Sequence, residues 1–371
     1  MGWSTTSDLD RFAATAGGYL RSRAAENTLL LSAAQDAQRH QAEQLLFGWW
    51  TPPDGEDPRG AFVHDPAAPL LISGRTPEMA AALAAPLAKL GRQVRGVDAP
   101  TEVADAFAAA WSQRAGTSVR AHRNCRVYSL TAAPQEAPVQ ATPPQGAPAG
   151  RAWPPPGLPG PPCSPGRLRL ATSADHAVLT DWLGVAAIEA AERLPSPSDV
   201  ASDLLSYGGA FFWEVAHKSS RLRDVAHYLA IPHHRDMAQF GEPVPQPVAL
   251  VTLTRPVARI VRISMIYTLP ERRRSGYAAA ATQSVSRALL RDGEPGTGML
   301  GRGCVREVVM IADKNRSDHW GGRFGFQLIS ERAVLRFGPA TGAIPRAKST
   351  SSMPRLPTGP LPRLPRIGRK A

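Results

Sequence analysis

Cysteine, lysine and long apolar runs are all scarce in this chain. Its three cysteines (Cys125, Cys163 and Cys304) lie far apart with no Cys-x-x-Cys pair, which argues against a disulfide framework or a zinc site and favours a reducing compartment. No run approaches 18 apolar residues, and no charged-then-apolar leader is present. We therefore expect a cytoplasmic protein that does not bind membranes. Five lysines stand against 38 arginines among 371 residues, a bias typical of a GC-rich, actinobacterial type of genome.

The formal net charge of +12 is concentrated at one end of the chain. Residues 338–371 carry seven basic and no acidic side chains, so the rest of the chain has a net charge of only +5. A nucleic-acid partner is therefore not expected, except through this tail, which has no aromatic side chains interleaved with its basic ones. Hydrophobic content of 43% is sufficient for a packed core.

Proline marks the boundaries of the predicted domains. Twelve prolines fall between residues 131 and 165, and seven more follow residue 337. We predict two α/β domains at 1–130 and 166–337, a proline-rich linker at 131–165, and a disordered basic tail at 338–371. The linker is the expected site of proteolysis, giving two folded fragments. Residues 216–246 and 294–303 are predicted insertions.

The most informative segment runs from a strand through a basic turn into a helix. Residues 258–267 alternate as a β-strand does, Pro270 breaks the strand, and Gly276 opens an alanine-rich helix that extends to about Leu290. The first N–H groups of a helix lack internal partners, and the helix dipole favours negative charge there. Gly276 lets a ligand approach the backbone closely. The segment predicts an anion cradle of pyrophosphate size.

The spacing Arg273-x-x-Gly276-x-Ala278 resembles the Arg/Gln-x-x-Gly-x-Gly/Ala signature of the GNAT (Gcn5-related) N-acetyltransferase superfamily. Residues 308–313, the Arg323-Phe-Gly-Phe326 stretch and residues 331–337 resemble later family strands in the right order. The resemblance implies a mixed, mostly antiparallel α/β GNAT sheet flanked by helices. Residues 1–130, which lack the signature, resemble the degenerate GNAT-like domain of two-domain actinobacterial members, and we assign them no cofactor.

The resemblance also implies a co-substrate and the residues that bind it. Acetyl-CoA or a similar short acyl-CoA is expected as donor, an amine of unknown identity as acceptor, and no metal. The pantetheine arm is expected along Ile266, Tyr267 and Thr268, and the pyrophosphate at Arg273, Arg274, Ser275, Gly276, Tyr277 and Ala278. The family usually has glycine where Arg274 stands, which makes this cradle bulkier.

Catalytic residues are not identified by the sequence. The family tyrosine that protonates the leaving thiolate aligns with Gly321, which leaves Tyr267, Ser317 or His319 as candidate acids. Glu214 is a weak candidate base. His233, His234 and Asp236 have no further ligand pair and are interpreted as a solvated loop rather than a metal site. Two other hypotheses therefore stay open: an acyl-CoA-binding regulator with little catalytic activity, and a nucleic-acid-associated or ribosome-associated protein acting through its tail.

Overall fold

A computed structural model describes residues 2–40, 44–53, 55, 57–131, 165–190, 194, 196–216, 245–291, 305–317 and 325–339. The predicted insertion at 294–303, most of the one at 216–246, nearly all of the predicted linker and the tail beyond Pro339 lie outside the described residues, as do Gly321, His319 and the histidines near residue 233. Ala216, Pro245 and Gln246 were predicted within an insertion but lie in strands, which is a correction.

The N-terminal half alternates strands and helices as the sequence predicts. Its strands are β1 (Gly2–Thr6), β2 (Leu46–Thr51), β3 (Gly60–His64), β4 (Leu70–Ser73), β5 (Gly96–Pro100) and β6 (Thr117–Thr131). Its helices are α1 (Leu9–Ser22), α2 (Thr28–His40), α3 (Pro77–Lys89) and α4 (Thr101–Ala115). Asp8 caps α1 by accepting a hydrogen bond from the Arg11 N–H, and Gly116 ends α4 in the left-handed conformation that glycine tolerates best.

The C-terminal half repeats this plan. Its strands are β7 (Arg167–Leu170), β8 (Ala210–Ala216), β9 (Pro245–Leu253), β10 (Ile260–Thr268), β11 (Glu307–Asp313) and β12 (Gln327–Pro339). Its helices are α5 (His176–Glu189), α6 (Pro197–Tyr207), α7 (Tyr277–Arg291) and the single turn α8 (Lys314–Ser317). Ser196 caps α6, where Pro197 fits the first helical position because its missing N–H would have no partner there.

All twelve strands form one continuous sheet, in the order β1-β2-β3-β4-β5-β12-β6-β11-β10-β9-β8-β7. Only β4–β5 and β10–β11 pair in parallel; the other pairings are antiparallel. The mixed, mostly antiparallel α/β architecture predicted from the sequence is therefore confirmed.

The halves are joined by an exchange of strands at the centre of the sheet. β12 belongs to the C-terminal half in sequence but lies between β5 and β6, whereas β6 lies between β12 and β11. Reversing the strand order exchanges each strand with its counterpart in the other half, including β5 with β11 and β12 with β6, so the two halves have a pseudo-twofold relation. The predicted boundaries at residues 131 and 165 stay predictions, because the halves share strands across the sheet.

The centre of the sheet contains a buried arginine that forms an ion pair with an aspartate. The Arg332 side chain is 3% exposed and donates to Asp98 across the β12–β5 pairing, from Nε to Oδ1 at 2.8 Å. Cys125 pairs with Arg332 across the β6–β12 ladder and is also buried. Burial raises the pKa of this thiol to about 11, which keeps it protonated and unreactive.

Helices cover both faces of the sheet in each half. On β3, Phe62 packs with α3 and α4, while its neighbours Ala61 and Val63 pack with α1 and α2. On β8, Phe211 packs with α7, and Phe212 packs with α5 and α6. Successive residues of a strand point to opposite faces, so each half has two apolar cores with the sheet between them.

Two predicted strand limits are corrected. The strand predicted to start at residue 258 begins at Ile260, because Ala258 (φ 49°) and Arg259 (φ 65°) form the left-handed turn that leads into it. The last strand extends beyond residue 337 to Pro339, so Gly338 and Pro339 pair with β6 rather than belonging to the tail.

Candidate functional site

The turn after β10 adopts the geometry of an anion cradle. A 3-10 turn (Pro270–Arg272) follows the strand, Arg273 is extended, and Arg274 and Gly276 have φ angles of 64° and 81°. Helix α7 then starts, and the Ala280 N–H donates to the Gly276 carbonyl at 2.9 Å. The N–H groups that precede Ala280 in this helix start have no helical acceptor, and no acidic residue lies in the first turn of α7. This helix start can therefore accept a negatively charged group.

A gap in the sheet opens directly beside this turn. The β10–β11 pairing ends at Ile263↔Met310, although β10 continues to Thr268 and β11 to Asp313. Beyond that point β10 stays paired only with β9, after a register irregularity between Ile263 and Met265. Irregularities of this kind bend a strand. The edge of β10 that faces β11 thus has no strand partner along residues 264–268 within the described part of the chain.

The glycine-opened helix start lies where the resemblance implies a pyrophosphate site. The unpaired stretch of β10 contains Ile266, Tyr267 and Thr268, where the resemblance implies the pantetheine arm. The fold contains two copies of one mixed α/β plan. The second copy is the N-terminal half, in which the parallel pairing of β4 with β5 is likewise limited to Leu70↔Val97 and Leu71↔Asp98.

Several solved structures are similar to this chain. A Drosophila protein has a TM-score of 0.50 at 12% identity, covering 91% of this chain and 99% of its own. A GCN5-related N-acetyltransferase from Sphaerobacter thermophilus has a TM-score of 0.49 at 15% identity, covering 90% and 95%. A tandem GNAT protein from the clavulanic acid biosynthesis pathway has a TM-score of 0.42 at 12% identity, covering 91% and 99%. At these identities the likeness concerns the fold alone. No family model and no curated protein matches the sequence.

The predicted pantetheine residues lie on the unpaired stretch of β10. Tyr267 is buried, and its ring packs edge-on against Trp182 of α5 with centroids 5.5 Å apart. Burial raises the pKa of the Tyr267 phenol, and the nearby Glu189 carboxylate raises it further. Ile266 packs into the core beneath α7, and the Thr268 hydroxyl is buried with no hydrogen-bond partner. The backbone of residues 266–268 is therefore the part of the strand available to a ligand.

Arg273 is held by a partner that the sequence did not reveal. Its Nη2 lies 2.8 Å and 2.7 Å from the two carboxylate oxygens of Glu189, the last residue of α5. Its Nε donates to the Thr268 carbonyl at 3.0 Å. The guanidinium is thus held over the mouth of the gap by a carboxylate from another helix. No motif marks Glu189, because it lies 84 residues from Arg273 in sequence.

The other predicted cradle residues surround the helix start. Arg274 and Ser275 are exposed, while Tyr277 and Ala278 are half-buried where α7 meets the sheet. The structure therefore brings the nine predicted residues together along one strand, one turn and one helix start.

Of the candidate catalytic residues, Glu214 has a structural role. Its side chain is 6% exposed and accepts hydrogen bonds from Arg169 at 2.5 Å and Arg167 at 3.3 Å. Both arginines are on β7, so Glu214 joins β7 to β8 and is not a free base. Tyr267 lies in the candidate site and Ser317 ends α8, whereas His319 and Gly321 lie outside the described residues.

The described residues contain neither a membrane-spanning helix nor a metal-binding cluster. No helix there is both long and apolar enough to cross a bilayer. No group of three or more histidine, cysteine or acidic side chains in the same ranges is arranged to hold a metal ion.

Proposed function

We propose that this chain is an acyl-CoA-dependent N-acyltransferase that transfers an acetyl or similar short acyl group to an amine. The observation that carries the proposal is the coincidence of the β10–β11 gap with the cradle at the start of α7. The gap offers unpaired strand backbone to the amide-bearing pantetheine arm, in the manner of an added strand. The helix start offers N–H groups to the diphosphate.

The reaction requires little of the protein beyond positioning. The amine nitrogen attacks the thioester carbonyl carbon to form a carbon–nitrogen bond, and the carbon–sulfur bond breaks. The nitrogen loses one proton, and the departing thiolate gains one, so the products are an amide and free CoA thiol. Backbone N–H groups at the bend of β10 are suited to stabilise the developing oxyanion. A thiolate is a good leaving group, so turnover does not depend strictly on a general acid.

The residues present fit a CoA diphosphate. Gly276 occupies the left-handed region, which a β-branched residue adopts only with strain. The cradle contains Arg273, which can pair with a phosphate once it leaves Glu189. Cytoplasmic location and an amine acceptor remain parts of the proposal.

The first test is binding to the full chain, because the halves share strands and neither has been shown to fold alone. Acetyl-CoA at 100 times its Kd should stabilise the protein by about 2.7 kcal/mol. Gly276→Val should abolish the resulting rise in Tm. Gly116→Val is the matched control: Gly116 is also left-handed (φ 62°), and an added Cβ there meets nothing within 4 Å. The absence of any Tm shift with millimolar acetyl-CoA would refute the proposal.

The second test separates enzyme from regulator. Thiol release from acetyl-CoA is followed with a mixed amine panel, using reactions without amine as the blank. Turnover that is lost in Gly276→Val supports the acyltransferase. Binding without turnover would instead favour the alternative, an acyl-CoA-binding regulator, for which the bulky Arg274 and the engaged Glu214 are the supporting observations.

A further inference from the structure

A second cleft lies in the N-terminal half, away from the predicted acyl-CoA site. It has a volume of about 910 Å³, within the size range of small-molecule sites. It is bounded by the α1–α2 connection, by the turn after β4 and by residues 329–332 of β12. It opens where β4 and β5 separate, since their pairing ends at Leu71↔Asp98 while the strands continue to Ser73 and Pro100.

The floor of the cleft is a pre-formed polar network. The Ser73 hydroxyl donates to Asn27 Oδ1 at 2.5 Å, and the Asn27 amide donates to the Leu20 carbonyl at 3.2 Å. The Tyr19 hydroxyl lies 3.1 Å from Ser73 Oγ, and because Ser73 donates to Asn27, Tyr19 is the donor to Ser73. Ser73 and Asn27 are both at least 96% buried. The lone pairs of Tyr19 remain available at the cleft surface.

Four arginines (Arg23, Arg59, Arg75 and Arg332) and three glutamates (Glu26, Glu102 and Glu331) line the cleft. Arg332 is paired with Asp98, and Glu331 is paired with Arg126 and Lys314 outside the cleft. Arg23 pairs with Glu26 at 3.2 Å, and the same carboxylate lies 3.9 Å from Arg75, whose side chain is 69% exposed. Arg59 also lines the cleft, and within the described ranges no carboxylate pairs with it. Arg59 and Arg75 are therefore the guanidinium groups most free to bind an added anion, and this geometry suits carboxylates and phosphates.

The β4–β5 cleft differs from the cradle at the start of α7 in the groups that it offers to an anion. Pro77 at the start of α3 lacks an N–H group, so this helix start offers one donor fewer than α7 does. Gly74 is buried against Met79, whose Cε would lie 2.2 Å from an added Cβ. The backbone turn therefore provides no open cradle for a diphosphate, and arginine side chains must supply most of the recognition.

We propose that the β4–β5 cleft is a binding site for a small organic anion bearing carboxylate or phosphate groups, held by Arg59 and Arg75. Its polar floor, with the Tyr19 oxygen, would accept a hydrogen bond from a donor group on the same ligand. This site is independent of the proposed acyltransferase activity. A ligand bound there also touches residues 329–332 of β12, the strand that both halves share.

Two probes, citrate and inorganic pyrophosphate, test the site at constant ionic strength, with sodium chloride as the reference. At least one probe should bind the full chain with a Kd below 1 mM and slow the modification of Arg59 and Arg75 by phenylglyoxal, as mapped by mass spectrometry. The double variant Arg59→Ala/Arg75→Ala should weaken binding at least tenfold. Arg95→Ala/Arg114→Ala is the charge-matched control, since both residues are exposed and do not line the cleft.

Binding must also persist in Gly276→Val, which separates this cleft from the cradle at α7. The inference is overturned if neither probe binds below 1 mM, if the two double variants lose affinity equally, or if Gly276→Val abolishes binding. None of these outcomes depends on acetyl-CoA turnover. The proposed acyltransferase function can therefore fail while the anion site holds, and the anion site can fail while the proposed function holds.

Discussion

At the scale of single residues, Glu189 sets the state of the predicted cradle. Its carboxylate forms an ion pair with the guanidinium of Arg273, which a CoA phosphate would otherwise contact. Both side chains are more than 40% exposed, so their ion pair contributes at most about 1 kcal/mol. The carboxylate nevertheless opposes an incoming phosphate twice, by engaging Arg273 and by like-charge repulsion.

We therefore expect Glu189→Gln to strengthen acetyl-CoA binding about two- to fivefold, because a loss of about 1 kcal/mol of competition corresponds to that range. Calorimetry on the full chain measures the change. Glu271→Gln is the control for general charge effects, because it removes a charge from the turn itself. No ion pair or hydrogen bond joins Glu271 to Arg273 in the described part of the chain. Unchanged or weaker binding in Glu189→Gln would mean that Glu189 positions Arg273 for the ligand.

Arg274 destabilises its turn through its backbone conformation. The family resemblance predicted only that its side chain makes the cradle bulkier. Its φ of 64° lies in the left-handed region, which costs a residue with a Cβ about 1–2 kcal/mol. Arg274→Gly should therefore be more stable than Arg274→Ala by about 1 kcal/mol, because alanine keeps the Cβ and removes only the exposed side chain. Urea denaturation of the two variants measures the difference. Equal stabilities would show that the turn relaxes without strain.

The residues of the candidate site differ in whether their roles could be predicted from the sequence. The turn at Arg273–Ala278 was predictable because its spacing is local and its chemistry follows from the start of a helix. The engagement of Arg273 by Glu189 was not, because an ion pair across 84 residues depends on how α5 packs beside β10. Glu214 was misjudged as a candidate base for the same reason: its partners are on β7, 45 and 47 residues earlier.

At the scale of elements, one charged network fixes β7 to its neighbours. Arg169 on β7 donates to Asp175 at the start of α5, at 2.8 Å and 2.9 Å, and to Glu214 on β8 at 2.5 Å. Asp175 also accepts from the Thr172 N–H at 2.7 Å, which forms a capping box. Edge strands have one free side, so such side-chain links help to hold β7 in register.

The network predicts acid sensitivity at this edge of the sheet. The hydrogen bond from Arg169 lowers the pKa of Asp175 to about 2. A carboxyl whose folded pKa is lowered stabilises the fold above its unfolded value near pH 4, and the contribution disappears as pH falls towards 2. Asp175→Asn should therefore cost about 1–2 kcal/mol at pH 7 and much less at pH 2.5.

The measurement is the free energy of unfolding of both proteins between pH 2.5 and 7. Asp181→Asn, an exposed position on the same helix, serves as the control and should track the parent at every pH. A constant difference between Asp175→Asn and the parent across this range would contradict the pKa argument, because it would assign the loss to packing.

At the scale of the whole molecule, the order of strands could not be predicted from the sequence. Alternation predicted most strands within a few residues, since side-chain burial on a strand repeats every two positions. It carried no information on which strands pair. β12 pairs with β5 and β6, which lie about 200 residues or more earlier in the sequence. Two separate domains were therefore the natural expectation, and one shared sheet is what the structure has.

The exchange of β6 and β12 changes the expected result of cutting the predicted linker. Separate domains would give two folded fragments. Here, separating the fragments would remove β12 from between β5 and β6 and leave the facing edges of both strands unpaired. It would also expose Val127 and Ala333, which are fully buried in the intact sheet. An unpaired central strand costs its ladder of hydrogen bonds and its buried area together. The two pieces should consequently remain one particle after cleavage.

A protease site inserted between residues 147 and 148 tests this expectation on the full chain. After complete cleavage the fragments should co-elute in gel filtration and separate only in denaturant. With Cys163 and Cys304 replaced by serine, the buried Cys125 on β6 reports the same event, because its thiol should react with a thiol reagent only when β6 and β12 part. Elution of two folded fragments without denaturant, with Cys125 reactive in one of them, would show that the halves fold alone and that the exchanged strands are dispensable.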